Sequence, residues 1–243
     1  MHEAHKSTAL EGNTLVLREV GQLLLDGRAV WSKQLADYLE VQGYADAASW
    51  VYRQALRPDA AEPSELLTVT EVRHVHQLAL QPVWDVAPHA KATGDEAPGA
   101  FRRQDVHPFP GGMTPPSFAL VDVEVHGWLE RTRGAGQADG HLIERLAELH
   151  AEFERIHSFP NGNGRTGRLL LHLVLARLGY PPAIVQKREP SRYLDGLRSA
   201  DAGRPGPPAE LLARAVLDNL YRFVVPAVAG PARLVPLEAL AGR

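Results

Sequence analysis

A glycine-rich loop between two helical segments carries the residues best suited to chemistry. It reads HSFPNGNGRTGR over residues 157–168, with Gly162 and Gly164 on either side of Asn163. A loop of this kind, running into the start of a helix, exposes backbone N–H groups that the helix itself cannot bond. Such groups, together with the positive end of the helix dipole, bind phosphate oxygens. The loop therefore predicts a phosphate-binding site.

Three side chains beside the loop extend this prediction. Arg165 and Arg168 stand three residues apart at the start of the second helix, so their guanidinium groups share one face and can grip successive phosphates of a nucleotide. His157 lies at the end of the first helix and can accept a proton near neutral pH. A base beside a phosphate site indicates transfer of a phosphate-containing group to a hydroxyl.

Two helices must position this loop. Apolar residues recur at intervals of three and four between His141 and His157, which predicts an amphipathic helix with one buried stripe. The segment from Gly164 to Leu178 is apolar on nearly every face, which predicts a central helix surrounded by others. Glutamates alternate with arginines in the first helix and are typical of a solvated face: Glu144, Glu148, Glu152 and Glu154.

Further helices complete an all-α fold. We expect them at Thr14–Asp26, Ser32–Leu56, Thr70–Leu80, Pro116–Arg131, Glu189–Ala200 and Pro208–Phe223. The stretch Phe101–Pro116 carries too many prolines and glycines for a helix, and a short β-hairpin or extended flap fits it better. The sequence thus predicts a helical bundle around a central helix, with a small flap.

Composition excludes several classes of protein. With 26 Lys+Arg against 29 Asp+Glu, the formal net charge of −3 gives no field that would attract bulk nucleic acid or an anionic membrane. The absence of cysteine excludes disulfides, thiolate nucleophiles and cysteine zinc sites. The amino end has no apolar signal segment, and the most apolar stretch, Leu169–Leu178, is interrupted by His172 and Arg177. We expect a cytoplasmic protein without nucleic-acid or membrane partners.

The loop resembles the signature of the Fic family (filamentation induced by cyclic AMP), His-x-Phe-x-(Asp/Glu)-Gly-Asn-Gly-Arg-x-x-Arg. All seven positions that the signature specifies by a single residue are matched, at His157, Phe159, Gly162, Asn163, Gly164, Arg165 and Arg168. The resemblance to the family covers most of residues 7–223. The resemblance implies a mostly helical Fic fold and an adenylyltransferase, which transfers AMP from ATP to a Ser, Thr or Tyr hydroxyl of a target protein.

The resemblance also implies roles for the matched residues. His157 is implied as the general base, and the loop from Gly162 to Gly164 as the holder of the α- and β-phosphates. Arg165 is implied to help hold the β-phosphate, and Arg168 to meet the γ-phosphate. Phe159 is implied as a buried anchor of the loop.

Two further segments take roles from the resemblance. Tyr193 lies in a stretch similar to the nucleotide-side segment of the family and is expected to contact adenosine, with simple packing as the alternative. Residues 101–116 are similar to the stretch that contains the flap, which docks the target chain by strand addition. ATP and a target protein are therefore the implied partners, and a homo-oligomer stays open.

A second resemblance lies at the amino end. Residues 7–12 read STALEG, in which Ser7, Glu11 and Gly12 match the inhibitory helix motif of the family, (Ser/Thr)-x-x-x-Glu-(Gly/Asn). It implies that Glu11 pairs with Arg168 and displaces the γ-phosphate, which leaves ATP out of line for attack.

We divide the chain into an inhibitory helical segment, a Fic domain and a C-terminal tail: residues 1–28, 29–224 and 225–243.

Asn161 departs from the family, which usually has Asp or Glu at this position to hold Mg²⁺ on the phosphates. Its neutral oxygen is a poorer ligand for a hard cation than a carboxylate, so we expect weaker Mg²⁺ binding. Three interpretations stay open: an adenylyltransferase with a weakened metal site, a Fic enzyme that moves another group, and a nucleotide-binding module without turnover. The Doc toxins, which carry Lys at this place and act as kinases, illustrate the second.

Four other histidines offer a weaker metal hypothesis. His74 and His76, with His107 and His126 elsewhere, lie on separate predicted elements without carboxylates at ligand spacing, so structural roles are favoured. The sequence does not indicate the target protein, the nucleotide base or the oligomeric state.

Overall fold

The structure, a computed structural model, describes residues 1–29, 32–55, 66–90, 92–109, 112–136, 141–185 and 190–229. Within these ranges the fold is helical and has no β-strand, which confirms the all-α prediction. In the same ranges, no helix combines the length and apolar character needed to cross a membrane. The α-helices described are α1 (His2–Leu10), α2 (Leu17–Asp26), α3 (Leu35–Ala55), α4 (Val69–Trp84), α5 (Val121–Arg133), α6 (Leu142–Ile156), α7 (Asn163–Arg177), α8 (Pro190–Asp201), α9 (Gly206–Asn219) and α10 (Val225–Ala229).

Helix α7 is the centre of the fold. It packs against α3, α4 and α6, and also contacts α1. Leucines on every side of it are buried in the core: Leu169, Leu170, Leu171 and Leu173. Because a helix that is apolar all round has no face to offer water, it must be enclosed by other helices. The predicted central helix is confirmed.

The predicted apolar stripe of α6 is also confirmed, whereas the predicted solvated face is wrong at one glutamate. Leu146, Leu149, Phe153 and Ile156 are all buried. Glu154, however, is only 4% exposed, so the prediction of a solvated face was wrong for this residue. Its carboxylate lies against Gly167 of α7, on the side of α6 that faces the central helix.

Helix α4 is fixed to the end of α7 at its first turn. Thr68 caps it by accepting a hydrogen bond from the Glu71 N–H at 3.2 Å, and the Glu71 carboxylate accepts one from the Thr68 N–H at 3.0 Å. The other carboxylate oxygen accepts from Arg177 Nη2 at 2.6 Å. This pairing holds the register between α4 and α7.

Several helix ends differ from the sequence prediction; for example, α2 begins at Leu17 and not at Thr14, and α4 continues to Trp84 and does not end at Leu80. The helix expected from Pro116 begins at Val121, after a 3-10 turn at Phe118–Leu120, and the Pro116 carbonyl instead accepts from Arg102 Nη2 at 2.6 Å. The helix expected to run to Phe223 changes at Leu220 into one π turn before α10. Residues 230–243 of the expected tail, like 137–140 and 186–189, lie outside the described residues.

The predicted β-hairpin does not form in the described part of residues 101–116, which is 101–109 and 112–116. The buried Arg102 organises this segment instead, because its guanidinium binds the carbonyl oxygens of Gln104 at 2.8 Å and Pro116. Pro108 and Pro115 have no N–H to contribute to a strand ladder. The described part of the segment is an irregular loop, and the Arg102 side chain binds its backbone.

Helix α1 is anchored by its first turn to the core. The Glu3 carboxylate accepts hydrogen bonds from the hydroxyls of Tyr44 at 3.0 Å and Tyr52 at 2.6 Å, and it pairs with His172 Nδ1 at 2.9 Å. The other ring nitrogen of His172 faces the Ala183 carbonyl at 2.9 Å. Burial alone would raise the pKa of Glu3, but His172 and the two phenols hold it below the ordinary value. Three side chains of α3 and α7, which we call the Glu3 receptor, thus hold a charged carboxylate of α1: Tyr44, Tyr52 and His172.

Candidate active site

His157 has an unusual backbone conformation. It follows the last residue of α6 with φ 49° and ψ 56°, the only positive φ among the described non-glycine residues. This left-handed conformation costs a non-glycine residue about 1 kcal/mol or more, so neighbouring contacts must hold it. Arg102 supplies one, since its Nε donates to the His157 carbonyl at 2.8 Å. Sequence reasoning placed Arg102 in the flap stretch and missed this role.

The ring of His157 is arranged to act as a base. Its Nδ1 lies 3.3 Å from the Glu154 carbonyl oxygen, which can only accept, so Nδ1 carries the proton and Nε2 carries the lone pair. Burial lowers the pKa of His157 to about 4, against an opposing effect of the Glu154 carbonyl. The ring is therefore neutral at neutral pH and able to take a proton.

The loop after His157 is fastened by its own asparagine. Asn163 Oδ1 accepts from the Phe159 N–H at 2.9 Å, and Nδ2 donates to the Phe159 carbonyl at 2.8 Å. Phe159 is completely buried, as its predicted role as an anchor requires. Since the Asn163 amide is used inside the loop, the part of this residue left to meet a phosphate is its backbone N–H.

The loop presents the start of α7 to the cleft. Gly162, with φ 73°, occupies the left-handed region that favours glycine and directs the chain into the helix. The first N–H to bond within the helix is that of Thr166, to the Gly162 carbonyl at 3.0 Å. The amides of Asn163, Gly164 and Arg165 precede it and have no carbonyl one turn earlier in α7. This end of the helix is suited to an anion.

A carboxylate from α1 lies at that position. Glu11 Oε1 is 2.8 Å from Arg168 Nη2, and a Cβ atom on Gly164 would collide with the same carboxylate. Arg168 also donates from Nε to Ser7 Oγ at 2.8 Å and from Nη2 to the Ser7 carbonyl at 3.0 Å. Burial would raise the pKa of Glu11, but Arg168 holds it below the ordinary value. Gly12, with φ 97°, turns the chain just after Glu11.

Arg165 is buried with part of its hydrogen-bonding capacity unused. Its Nη1 lies 3.2 Å from Glu40 Oε1, an ion pair without hydrogen-bond alignment. Its Nε likewise has no hydrogen-bond partner among the described residues, although the side chain is only 2% exposed. A buried guanidinium with unbonded N–H groups is costly unless an anion completes it. Arg165 thus fits the predicted role of a phosphate contact.

The cleft over the loop has a volume of about 300 Å³ and brings most of the predicted residues together. It is lined by Leu10, Glu11, Pro108, Phe109, Glu154, His157, Pro160, Asn161, Gly162, Asn163, Gly164, Arg168, Tyr193, Leu194 and Leu197. Tyr193 is fixed by a hydrogen bond of 2.7 Å between its hydroxyl and His150 Nε2, and Arg168 lies over its ring. Ser7 and Arg165 do not line the cleft: Ser7 is bonded to the lining residue Arg168, and Arg165 pairs with Glu40.

Glu154 is a member of this cleft that sequence reasoning did not find. Its Oε1 is buried without a hydrogen-bond partner in the described residues, and it lies 3.9 Å from His150. Burial raises the pKa of Glu154 to about 8, and Glu11 adds to the rise while Arg168 opposes it. The alternation of glutamates with arginines along α6 suggested that all of these glutamates face solvent. Which of them is buried depends on its position around the helix and not on the composition of the segment.

Asn161 offers one neutral ligand to a metal ion. It is exposed at the edge of the cleft, and its Oδ1 accepts from the Gly162 N–H at 2.7 Å. Within the described ranges, no group of three or more His, Asp or Glu side chains could bind a metal ion. Mg²⁺ tolerates few protein ligands and keeps several waters, so a single amide oxygen fits an ion that arrives bound to phosphates.

Comparison with known proteins agrees with this geometry. Residues 66–175 match the family model described as the Fic/DOC family. A Culex quinquefasciatus protein named protein adenylyltransferase Fic is 28% identical over 244 residues, which cover 98% of this chain and 45% of that protein. The chain thus spans less than half the length of the curated relatives it matches.

Solved structures with the same fold include two Fic proteins. Fic-1 from C. elegans superimposes with a TM-score of 0.76 at 24% identity, over 93% of this chain and 63% of that one. A Fic domain containing signaling protein from Bacteroides thetaiotaomicron superimposes with a TM-score of 0.78 at 21% identity, over 97% of this chain and 88% of that one. At these identities the likeness establishes the fold.

Proposed function

We propose, on the premise that residues 66–175 match the family model of the Fic/DOC family, that the cleft transfers AMP from ATP to a hydroxyl group of a target protein. One arrangement carries the proposal: a neutral histidine with its lone pair on Nε2 lines the same cleft as the amides at the start of α7. These are the base and the anion site that phosphoryl-group transfer needs.

Residues of the cleft and of the start of α7 account for each step of the proposed reaction. His157 Nε2 takes the proton of the target hydroxyl as its oxygen attacks the α-phosphorus of ATP. The bond from the α-phosphorus to the bridging oxygen breaks, pyrophosphate leaves, and the AMP ester of the target remains. The amides of residues 163–165 and the Arg165 and Arg168 guanidinium groups hold the phosphates in line and stabilise the developing charge.

The target is proposed to dock along residues 101–116. Phe109 of this segment lies edge-on to His157, with ring centroids 5.4 Å apart, so a chain bound along the segment passes close to the base. Because the described part of the segment has no strand pairing, its backbone groups can pair with an added strand. Strand addition therefore stays the proposed mode of docking.

The helix α1 is proposed to inhibit this activity. A carboxylate and a γ-phosphate are both anions, and Glu11 occupies the Arg168 guanidinium that the phosphate needs. The contact is intramolecular, and the anchor of Glu3 in its receptor of Tyr44, Tyr52 and His172 supports it from the other end of α1. ATP that enters with Glu11 in place binds with its γ-phosphate displaced and its α-phosphate out of line for attack.

Asn161 is proposed as the one side chain of the loop that would hold a Mg²⁺ ion carried by the nucleotide. Such an ion would neutralise phosphate charge and favour departure of pyrophosphate. A neutral amide binds Mg²⁺ more weakly than a carboxylate, so the metal requirement should be high.

Replacing Asn161 with Asp tests this metal site at nearly constant side-chain size. In a Glu11→Gly background, Asn161→Asp should lower the Mg²⁺ concentration that gives half-maximal transfer, and the advantage should shrink at saturating Mg²⁺. The Asp carboxylate can still accept from the Gly162 N–H, so the loop should keep its shape. An unchanged Mg²⁺ dependence with a slower rate would instead favour transfer of another group.

Labelled ATP distinguishes the proposed function from its alternatives. The Glu11→Gly protein, incubated with a cell lysate, should place label from the α-phosphate of ATP on protein bands that a Glu11→Gly, His157→Ala control leaves unlabelled, and it should add no label from the γ-phosphate beyond that control. Label from the γ-phosphate alone would indicate a kinase-type Fic enzyme. Nucleotide binding without either label would indicate a binding module without turnover.

A further inference from the structure

We propose that His76 is a positioning residue, which fixes the phosphate-binding loop by a hydrogen bond to the Asn161 carbonyl and links that loop to the start of the flap segment. The inference rests on the proposed function in one respect, namely that this loop binds phosphates. His76 does not line the cleft over the loop and touches no reacting group in the proposed reaction. Its effect is exerted through the backbone of the loop.

The hydrogen bonds of His76 determine where its proton lies. The Gly99 N–H donates to Nδ1 at 2.8 Å, so Nδ1 carries a lone pair. Nε2 lies 3.0 Å from the Asn161 carbonyl oxygen, which can only accept, so Nε2 carries the proton. The imidazole is thus neutral and bonds in opposite senses to two segments that are far apart in sequence.

Packing reinforces this bridge. The His76 ring stacks on Phe159 with centroids 3.7 Å apart and an angle of 6° between the planes. One turn further along α4, Leu80 packs so closely on Gly162 that a Cβ atom there would collide with it. One face of α4 therefore packs against the loop at three residues, Phe159, Asn161 and Gly162.

The bond to Asn161 has a direct effect on the anion site. A peptide group is planar, so fixing the Asn161 carbonyl also fixes the direction of the Gly162 N–H in the same peptide. That N–H is held by Asn161 Oδ1 at 2.7 Å, which sets the side-chain oxygen proposed to meet Mg²⁺. Loss of the His76 bond should loosen the loop that presents both the amides and this oxygen.

The bond from Gly99 adds a link to the flap segment. Gly99 lies three residues before Arg102, and Arg102 donates to the His157 carbonyl at 2.8 Å. His76 and Arg102 thus join one short segment to both ends of the loop that contains the base and the phosphate site.

Two amide substitutions separate the hydrogen bonds of His76. The side-chain nitrogen of Gln reaches about as far as Nε2 and can still donate to the Asn161 carbonyl. The shorter Asn side chain ends near Nδ1, where its Oδ1 can accept only from the Gly99 N–H. In the Glu11→Gly protein, we expect His76→Gln to bind ATP about 3- to 10-fold more tightly than His76→Asn, the range for one neutral hydrogen bond. Hydrogen exchange of the Gly162 N–H should be faster in His76→Asn than in His76→Gln.

His74→Asn is the matched control, because His74 lies on the same helix and packs edge-on against Trp50 with ring centroids 4.9 Å apart. It should lower thermal stability without changing ATP affinity or exchange at Gly162. Equal ATP affinity and equal Gly162 exchange in the two His76 variants would overturn the inference. If the Glu11→Gly parent transfers no label, the proposed function fails, yet binding and exchange still decide the role of His76.

Discussion

Replacing His157 with alanine is expected to lower AMP transfer by about 10²–10⁴-fold, the range for a positioned general base, while ATP binding stays nearly unchanged. The reason is that His157 lines the cleft with a neutral ring whose Nε2 is free of the proton, whereas the phosphates are held by other groups. The measurement is the rate of labelling in the Glu11→Gly background, with ATP affinity determined separately by calorimetry.

The left-handed backbone of His157 calls for a second variant. Asparagine tolerates this conformation better than alanine but cannot act as a base near neutral pH, so His157→Asn should be as inactive as His157→Ala while keeping more of the folding stability. His126→Ala, on the exposed surface of α5, is the control for loss of a histidine and should have normal activity. Undiminished labelling by either His157 variant would remove it as the base.

Replacing Glu11 with glycine is expected to raise the rate of transfer by about 10-fold or more, in line with the free energy of a charge-assisted contact to a guanidinium. Glu11→Gln keeps the size of the side chain and removes its charge, so it should activate to a smaller extent. Arg168→Ala should lose activity with or without Glu11, because the γ-phosphate has then lost its partner. Initial rates of labelling for the four single and double variants measure these effects.

Ser7→Ala provides a graded comparison for the same contact. It removes the hydroxyl that accepts from Arg168 Nε but leaves the bond to the Ser7 carbonyl and the pair with Glu11. We therefore expect a smaller activation than in Glu11→Gly. If the wild-type and Glu11→Gly proteins transfer label at equal rates, α1 does not inhibit the enzyme.

The parts of the site that the sequence predicted are those contained in short, contiguous motifs. The helices on either side of the loop follow from periodicity, and the partners Glu11 and Arg168 follow from two motifs that resemble those of one family. The hairpin was not obtained in the described residues, because proline and glycine content indicates the absence of helix but does not specify strand pairing. In place of strand pairing, the Arg102 side chain donates hydrogen bonds to backbone carbonyl groups of this segment.

Residues that act across long stretches of chain could not be found in this way. Arg102 and His157 are 55 residues apart, His76 and Asn161 are 85 apart, and Glu3 and His172 are 169 apart. None of these pairs has a spacing that periodicity or a motif can detect. Each depends on how distant parts of the chain pack together, which is a property of the assembled core.

Under the proposed inhibition, the anchor of Glu3 makes the Glu11 carboxylate a tethered ligand of Arg168. Glu3 and Glu11 are eight residues apart on or just beyond α1, about 12 Å along a helix, so holding one end keeps the other within reach of Arg168. Such a tether gives Glu11 an effective concentration that dilution of the protein does not change. In this proposal ATP competes against a fixed local concentration of carboxylate, and the strength of that competition depends on Tyr44, Tyr52 and His172 as well as on Arg168. Substitutions at Tyr44, Tyr52 or His172, none of which lines the cleft, would therefore change the strength of the proposed inhibition.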